Sequence, residues 1–66
     1  MRVILNGEAR DLDEGATVDA AVQVTGAPDR GVAVAVDGEV VPRGQWAGTE
    51  LREGQKVEVL QAVQGG

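Results

Sequence analysis

Sixty-six residues with a net charge of -5, 42% of them apolar, describe one small acidic domain whose core must be assembled from Val, Leu, Ile and Ala. A chain of this length buries only about 60% of the surface its unfolded form exposes, so its core is marginal. There is no Cys and no His, which excludes disulfides, thiolate metal sites and a histidine general base.

The six cations, Arg2, Arg10, Arg30, Arg43, Arg52 and Lys56, are scattered and form no basic stripe, which argues against a nucleic-acid partner. No apolar run approaches the roughly 18 residues of a membrane span and no signal peptide opens the chain, so a cytoplasmic protein with no membrane contact is expected. The acidic groups keep such a domain soluble, and an acidic surface can also be steered toward a basic partner.

In chain order, Val3-Ile4-Leu5 is a short apolar run ending at Asn6-Gly7, the dipeptide of a type I′ hairpin turn, and Glu8 to Leu12 is the return strand. Asp13-Glu14-Gly15 turns the chain again. Thr17 reads as a helix N-cap with Asp19 in the first turn, and Val18, Ala21, Val22 and Thr25 fall on one helical face. Gly26 suits the C′ position and Pro28 forbids continuation. The helix is short and rich in β-branched residues, so packing must hold it; a strand over 18–25 is the rival reading. Val32 to Val36 alternates Val and Ala, with the Val face toward the core and the Ala face flat. Asp37-Gly38 turns into the stub Glu39-Val40-Val41, which Pro42 ends. Arg43 to Thr49 reads as an irregular loop carrying Trp46, with Gly44 and Gly48 adding flexibility, and Leu51 anchors it to the core. After Glu53-Gly54, Lys56 to Val63 is the last strand, with Val57 and Val59 on one side and Glu58 and Leu60 on the other.

The order is therefore ββαβ, a loop, then β. The first and last strands contain no internal Pro or Gly and suit central positions. Side by side and parallel, they make an α+β fold in which a mixed sheet packs on one short helix, the β-grasp arrangement. The β-grasp domain is expected to span 1–62, with 63–66 as a flexible tail.

The side chains offer little chemistry of their own. Asp11 with Asp13, and Glu50 with Glu53, are paired carboxylates beside turns, where acids serve solvation and lack the burial that tunes a pKa. The glycines at 26, 31, 38, 44, 48 and 54 each fit a turn or a cap, and none forms a phosphate-binding loop. Trp46 reads either as a docking aromatic or as a partly buried lid on a core with no other aromatic, and Arg43 as a solvated loop residue or a contact for a partner carboxylate. The remaining reactive group is the carboxylate of Gly66. Glycine has no Cβ, so Gly65-Gly66 can thread a narrow channel and leave the carbonyl open to attack. From Gln61 to Gly66 an extended arm reaches about 20 Å. A frayed terminus explains the same two residues equally well.

The stretch VAVAVDGEVVPRGQWAG, residues 32–48, resembles the ThiS family, the sulfur-carrier proteins of thiamine biosynthesis. VILNGE at the start, ATV at 16–18 and Gly65-Gly66 at the end also match, so the resemblance covers essentially the whole chain. Ala20-Ala21-Val22 departs from it, standing where the family has larger residues. The resemblance implies a ubiquitin-like fold and no enzymatic activity of the chain itself. It implies a carrier cycle: a ThiF-like adenylyltransferase uses MgATP to adenylate the Gly66 carboxylate, and sulfur relayed by a cysteine desulfurase converts it to a thiocarboxylate. A ThiG-like thiazole synthase then takes up the sulfur. The chain itself is expected to bind no cofactor and no metal.

Partner contacts are expected at Ala33, Ala35 and Leu60 on the outer sheet face, continuing through Ala62, Val63, Gln64 and Gly65. The alternatives are a carrier of another sulfur pathway, of the molybdopterin-synthase small-subunit type, a β-grasp interaction module with an inert tail, and a modifier attached to lysines. The VPR-x-QW stretch favours the thiamine branch.

Overall fold

The computed structural model describes residues 1–28 and 30–61. Strands β1 (Arg2–Leu5) and β2 (Glu8–Asp11) form the opening hairpin, and helix α1 (Val18–Thr25) follows. Strands β3 (Val32–Val36) and β4 (Glu39–Val41) form a second hairpin, a 3-10 helix covers Arg43–Gly48, and β5 (Lys56–Gln61) completes a five-stranded sheet in the order β2-β1-β5-β3-β4. The β1–β5 pair is parallel and the other three pairs are antiparallel.

Both hairpins close on two-residue turns whose dihedrals match the right-handed twist of their strands. Asn6 and Gly7 have φ of 50° and 83°, and Asp37 and Gly38 have 50° and 85°. A two-residue turn leaves no slack in register: Leu5 faces Glu8, and Val36 faces Glu39.

The helix is confirmed over the strand alternative. Thr17 is its N-cap, with the hydroxyl accepting from the Ala20 amide at 3.4 Å, and Gly26 ends it in the left-handed conformation at φ 72°. Gly26 donates its own N–H to the Gln23 carbonyl at 3.1 Å, satisfying one of the carbonyls that a helix end leaves open. Eight residues with four β-branched members are too few to persist alone; burial of Val18, Ala21 and Val22 holds them in place.

The core lies between α1 and one face of the sheet. Val3 and Leu5 of β1, Val34 of β3, and Val57 and Val59 of β5 point into it, as the period of two requires. Leu51 joins them, held by a short antiparallel contact in which Val18 donates to the Thr49 carbonyl at 2.9 Å and Leu51 donates to the Ala16 carbonyl at 2.8 Å.

One expectation fails here. Residues 43–48 are not an irregular loop but a 3-10 helix that packs against α1. Pro42, at φ −59° and ψ 145°, delivers the chain into the first turn, and the Gln45 amide donates to the Pro42 carbonyl at 2.8 Å. Neither Gly44 nor Gly48 adopts a positive φ, so the two glycines do not use the freedom that suggested a loop. Trp46 is buried to 6% exposure and winds the segment around itself. Its indole Nε1 donates to the Val41 carbonyl at 2.8 Å, which satisfies the polar end of a ring too large to hide otherwise.

Two stability outcomes follow from this core. Leu51→Ala should cost roughly 2–5 kcal/mol, read as a lower urea midpoint with an unchanged m value. Trp46→Phe keeps an aromatic ring but removes the donor to Val41, and should cost about 1–3 kcal/mol by the same urea titration.

Candidate functional site

The sheet has a second face with no helix on it. Cross-strand partners share a face, so the strand registers assign it directly: Leu60 opposite Ala33, Glu58 opposite Ala35, Ala35 opposite Val40, and Ile4 beside Lys56. Leu60 and Val40 are 60% and 76% exposed, the two most exposed large apolar side chains of the described residues. Ala33 is exposed, and Ala35 and Ile4 are half-buried. Small alanines in the middle keep the face flat, Lys56 and Glu58 give its centre one charge of each sign, and the Arg2–Asp11 ion pair lies on the same face toward β2.

Leu60 stands between two shallow grooves. On the β1 side a groove of about 640 Å³ is lined by Ile4, Asn6, Lys56, Glu58 and Leu60 among others. On the β3 side a smaller one runs along Gly31, Ala33, Arg43, Leu60 and Gln61. Arg43 is more constrained than a solvated loop residue: its guanidinium carbon lies 5.4 Å from the centroid of the Trp46 ring. Such stacking keeps the charge beside the groove while its planar face rests on the indole. Trp46 itself is a buried member of the core rather than an exposed docking aromatic.

Of the residues expected from sequence to contact partners, Ala33, Ala35 and Leu60 come together on this face as expected. Ala62, Val63, Gln64, Gly65 and Gly66 lie outside the described residues. Two contributors were missed. Val40 belongs to the face because the two-residue Asp37-Gly38 turn sets it opposite Ala35, a register that the turn dipeptide already encodes. Ile4 belongs to it because Val3 and Leu5 point inward, and alternation sends the residue between them outward.

The edges of β5 show how the strand is held. On one side β3 pairs with it from Val36–Val57 to Val32–Gln61. At the end of that ladder, Asp37 donates its N–H to the Lys56 carbonyl at 2.8 Å and accepts the Lys56 N–H on Oδ1 at 3.0 Å. On the other side β1 pairs only through Ile4 and Leu5, and the Asn6 amide N–H reaches the Val57 carbonyl at 2.9 Å. The Asn6 side chain then takes over: Nδ2 donates to the Val59 carbonyl at 3.2 Å, and Oδ1 accepts the Val59 N–H at 2.8 Å. Sequence reasoning saw Asn6 and Asp37 as turn formers only; their long-range bonds had no local signal.

Among the described residues no group of three or more His, Cys, Asp or Glu side chains is arranged to hold a metal ion, and no helix is long and apolar enough to cross a membrane. What the described residues present is a flat apolar face, flanking grooves, and a central strand that ends its described length at Gln61.

A mixed five-stranded sheet closed around one short helix, with parallel first and last strands at its centre, defines a ubiquitin-like β-grasp domain. Residues 3–66 match the family model described as the ThiS family. The chain belongs to the ThiS family, the sulfur carriers of thiamine biosynthesis. It is 29% identical to the sulfur carrier protein ThiS of Escherichia coli, with the whole of both chains covered. It is 33% identical to a thiazole synthase of Paramagnetospirillum magneticum, where it spans only 20% of that protein's length. The crystal structure of the thiamine biosynthesis protein ThiS from Geobacter metallireducens superimposes with a TM-score of 0.77 at 26% identity, each chain covered in full.

The exposed face yields a stability outcome of its own. Val40→Thr should leave the unfolding free energy, read by urea titration, within about 0.5 kcal/mol of the parent, because the side chain contributes almost nothing to the core; a larger loss would show that Val40 packs more than its exposure indicates.

Proposed function

We propose that this chain carries sulfur on the carboxyl group of Gly66. The carboxylate attacks the α-phosphorus of MgATP in a ThiF-like adenylyltransferase, pyrophosphate leaves, and an acyl-adenylate forms. The terminal sulfur of a persulfide relayed from a cysteine desulfurase displaces AMP, and a thiol then cleaves the resulting acyl disulfide, leaving the thiocarboxylate and a disulfide. A ThiG-like thiazole synthase in the same cytoplasm then accepts the sulfur. Carboxylate is a poor acyl donor, and adenylation supplies the leaving group it lacks; the carrier has to contribute no acid or base, which fits a chain without His or Cys.

The observation that carries this reading is the family match running through the Gly65-Gly66 pair. Likeness to part of a thiazole synthase supports the thiazole branch over a carrier for another sulfur product. In this reading the outer sheet face docks both enzymes, with Leu60, Ala33 and Ala35 at its centre and Val40 at its edge. Ala62, Val63, Gln64 and Gly65 then continue the contact into the partner's active site. The chain is a cosubstrate, and the cofactor belongs to its partner.

Incubation with a ThiF-type adenylyltransferase, MgATP and a sulfur source should raise the intact mass by the difference between sulfur and oxygen. No change, beside a carrier that does react, would overturn the proposal in favour of an inert module, and a gain of a whole protein would indicate conjugation. Leu60→Asp should keep the far-UV circular dichroism of the parent while raising the KM of the carrier for the adenylyltransferase roughly tenfold or more. Normal adenylation of that variant would remove the sheet face from the docking surface.

A further inference from the structure

We infer that Asn6 is a positioning residue for the acyl chemistry, fixing the point from which β5 delivers the chain's closing residues. The inference rests on the carrier function proposed above. It starts from an imbalance in how β5 is held. The β3 edge is paired continuously to Gln61. On the opposite edge, β1 pairs through Ile4 and Leu5 and then turns away at Asn6-Gly7. A parallel strand running on in register would have offered Val59 one donor and one acceptor. The Asn6 carboxamide supplies one of each, at 3.2 Å and 2.8 Å, and so extends the ladder by a residue that the backbone does not provide.

The residue type carries the argument. A backbone at φ of 50° is accommodated by Gly, Asn or Asp, so the turn alone would accept any of the three. Gly has no side-chain partner to give. Asp, when ionised, only accepts. Asn alone both donates and accepts, as a peptide group does. The turn therefore asks for a left-handed residue, and the bond to Val59 narrows that choice to Asn.

Val59 is the last inward-facing core residue of β5, and the docking residue Leu60 follows it directly. Leu60 remains opposite Ala33 through the β3 ladder whether or not Asn6 is present. Loss of the clamp therefore leaves docking in place and frees one edge of the strand just before the reactive arm begins. Binding is preserved while the strand that delivers the carboxylate to the nucleotide is held on its β3 edge alone, and looser positioning of that kind lowers the rate of the chemical step.

The test compares the parent with Asn6→Gly, which keeps the turn and deletes the amide, and Asn6→Asp, which keeps the acceptor for the Val59 N–H and loses the donor. Amide hydrogen exchange is followed by NMR, and ATP–pyrophosphate exchange is measured with a ThiF-type adenylyltransferase, MgATP and labelled pyrophosphate. Asn6→Gly should lose protection at Val59 while Val34 and Val57 keep theirs, and Asn6→Asp should retain most of the Val59 protection. The kcat of Asn6→Gly should fall roughly 10- to 100-fold with KM within about twofold of the parent, and Asn6→Asp should recover part of that loss. An unchanged kcat for Asn6→Gly beside an active parent overturns this assignment alone. A general loss of protection across the sheet overturns it as well, since Asn6 would then be a structural residue only. A parent chain that supports no exchange overturns the carrier function and this role together.

Discussion

Everything in this molecule is arranged around the two hydrogen-bonded edges of β5. The strand lies at the centre of the sheet, parallel to β1 on one side and antiparallel to β3 on the other. At each edge the first residue of a type I′ turn prolongs the ladder with its side chain: Asp37 reaches Lys56 where β5 begins, and Asn6 reaches Val59 where it nears its end. Buried backbone N–H and C=O groups are costly to leave unmade, so in a small domain a turn residue that also completes a ladder does the work of an additional strand residue. The hairpins are thus not only reversals of direction; they are the braces of the central strand.

That bracing matters because the core is thin. Four of its members, Val3, Val18, Val34 and Val57, are fully enclosed valines. There is no disulfide to supplement them in a chain without Cys. Trp46 supplies bulk that no other residue could, and its bond to Val41 ties the 3-10 helix to the end of β4. One side of the sheet is spent on this core. The other is left with alanines and two exposed large residues, Val40 and Leu60, which add nothing to the interior. A small domain that keeps such a face uncovered is suited to a partner that covers it, which is the use the proposed carrier function makes of it.

The division of labour between sheet and closing residues follows. In the carrier cycle proposed above, the fold supplies the docking face and the strand that leads to the closing residues, and the chemistry falls to the carboxyl group and to the enzymes that would activate it. Arg43, stacked on Trp46 beside the groove along β3 and β5, adds a charge whose direction is set by the core beneath it.

Much of this was legible in the chain itself. Asn6-Gly7 and Asp37-Gly38 mark both hairpins, Thr17 and Gly26 bracket the helix, and the Val–Ala alternation of 32–36 tells which face is buried; all are short-range preferences of dihedral angle and side-chain period. The same alternation placed Leu60 with Ala33 and Ala35. Residues 43–48 were misread because Gly44 and Gly48 signal looseness locally, whereas the burial of a single indole, with its N–H bound to Val41, winds the segment into a 3-10 helix. Sequence by itself determined the elements, their faces and the family signature, since those depend on neighbours a few residues apart. Tertiary structure alone decided that Asn6 would meet Val59 across a separation of 53 residues, and that Arg43 would rest on Trp46 beside the β3–β5 groove. Such contacts exist only after the sheet has closed and brought distant backbone within hydrogen-bonding reach.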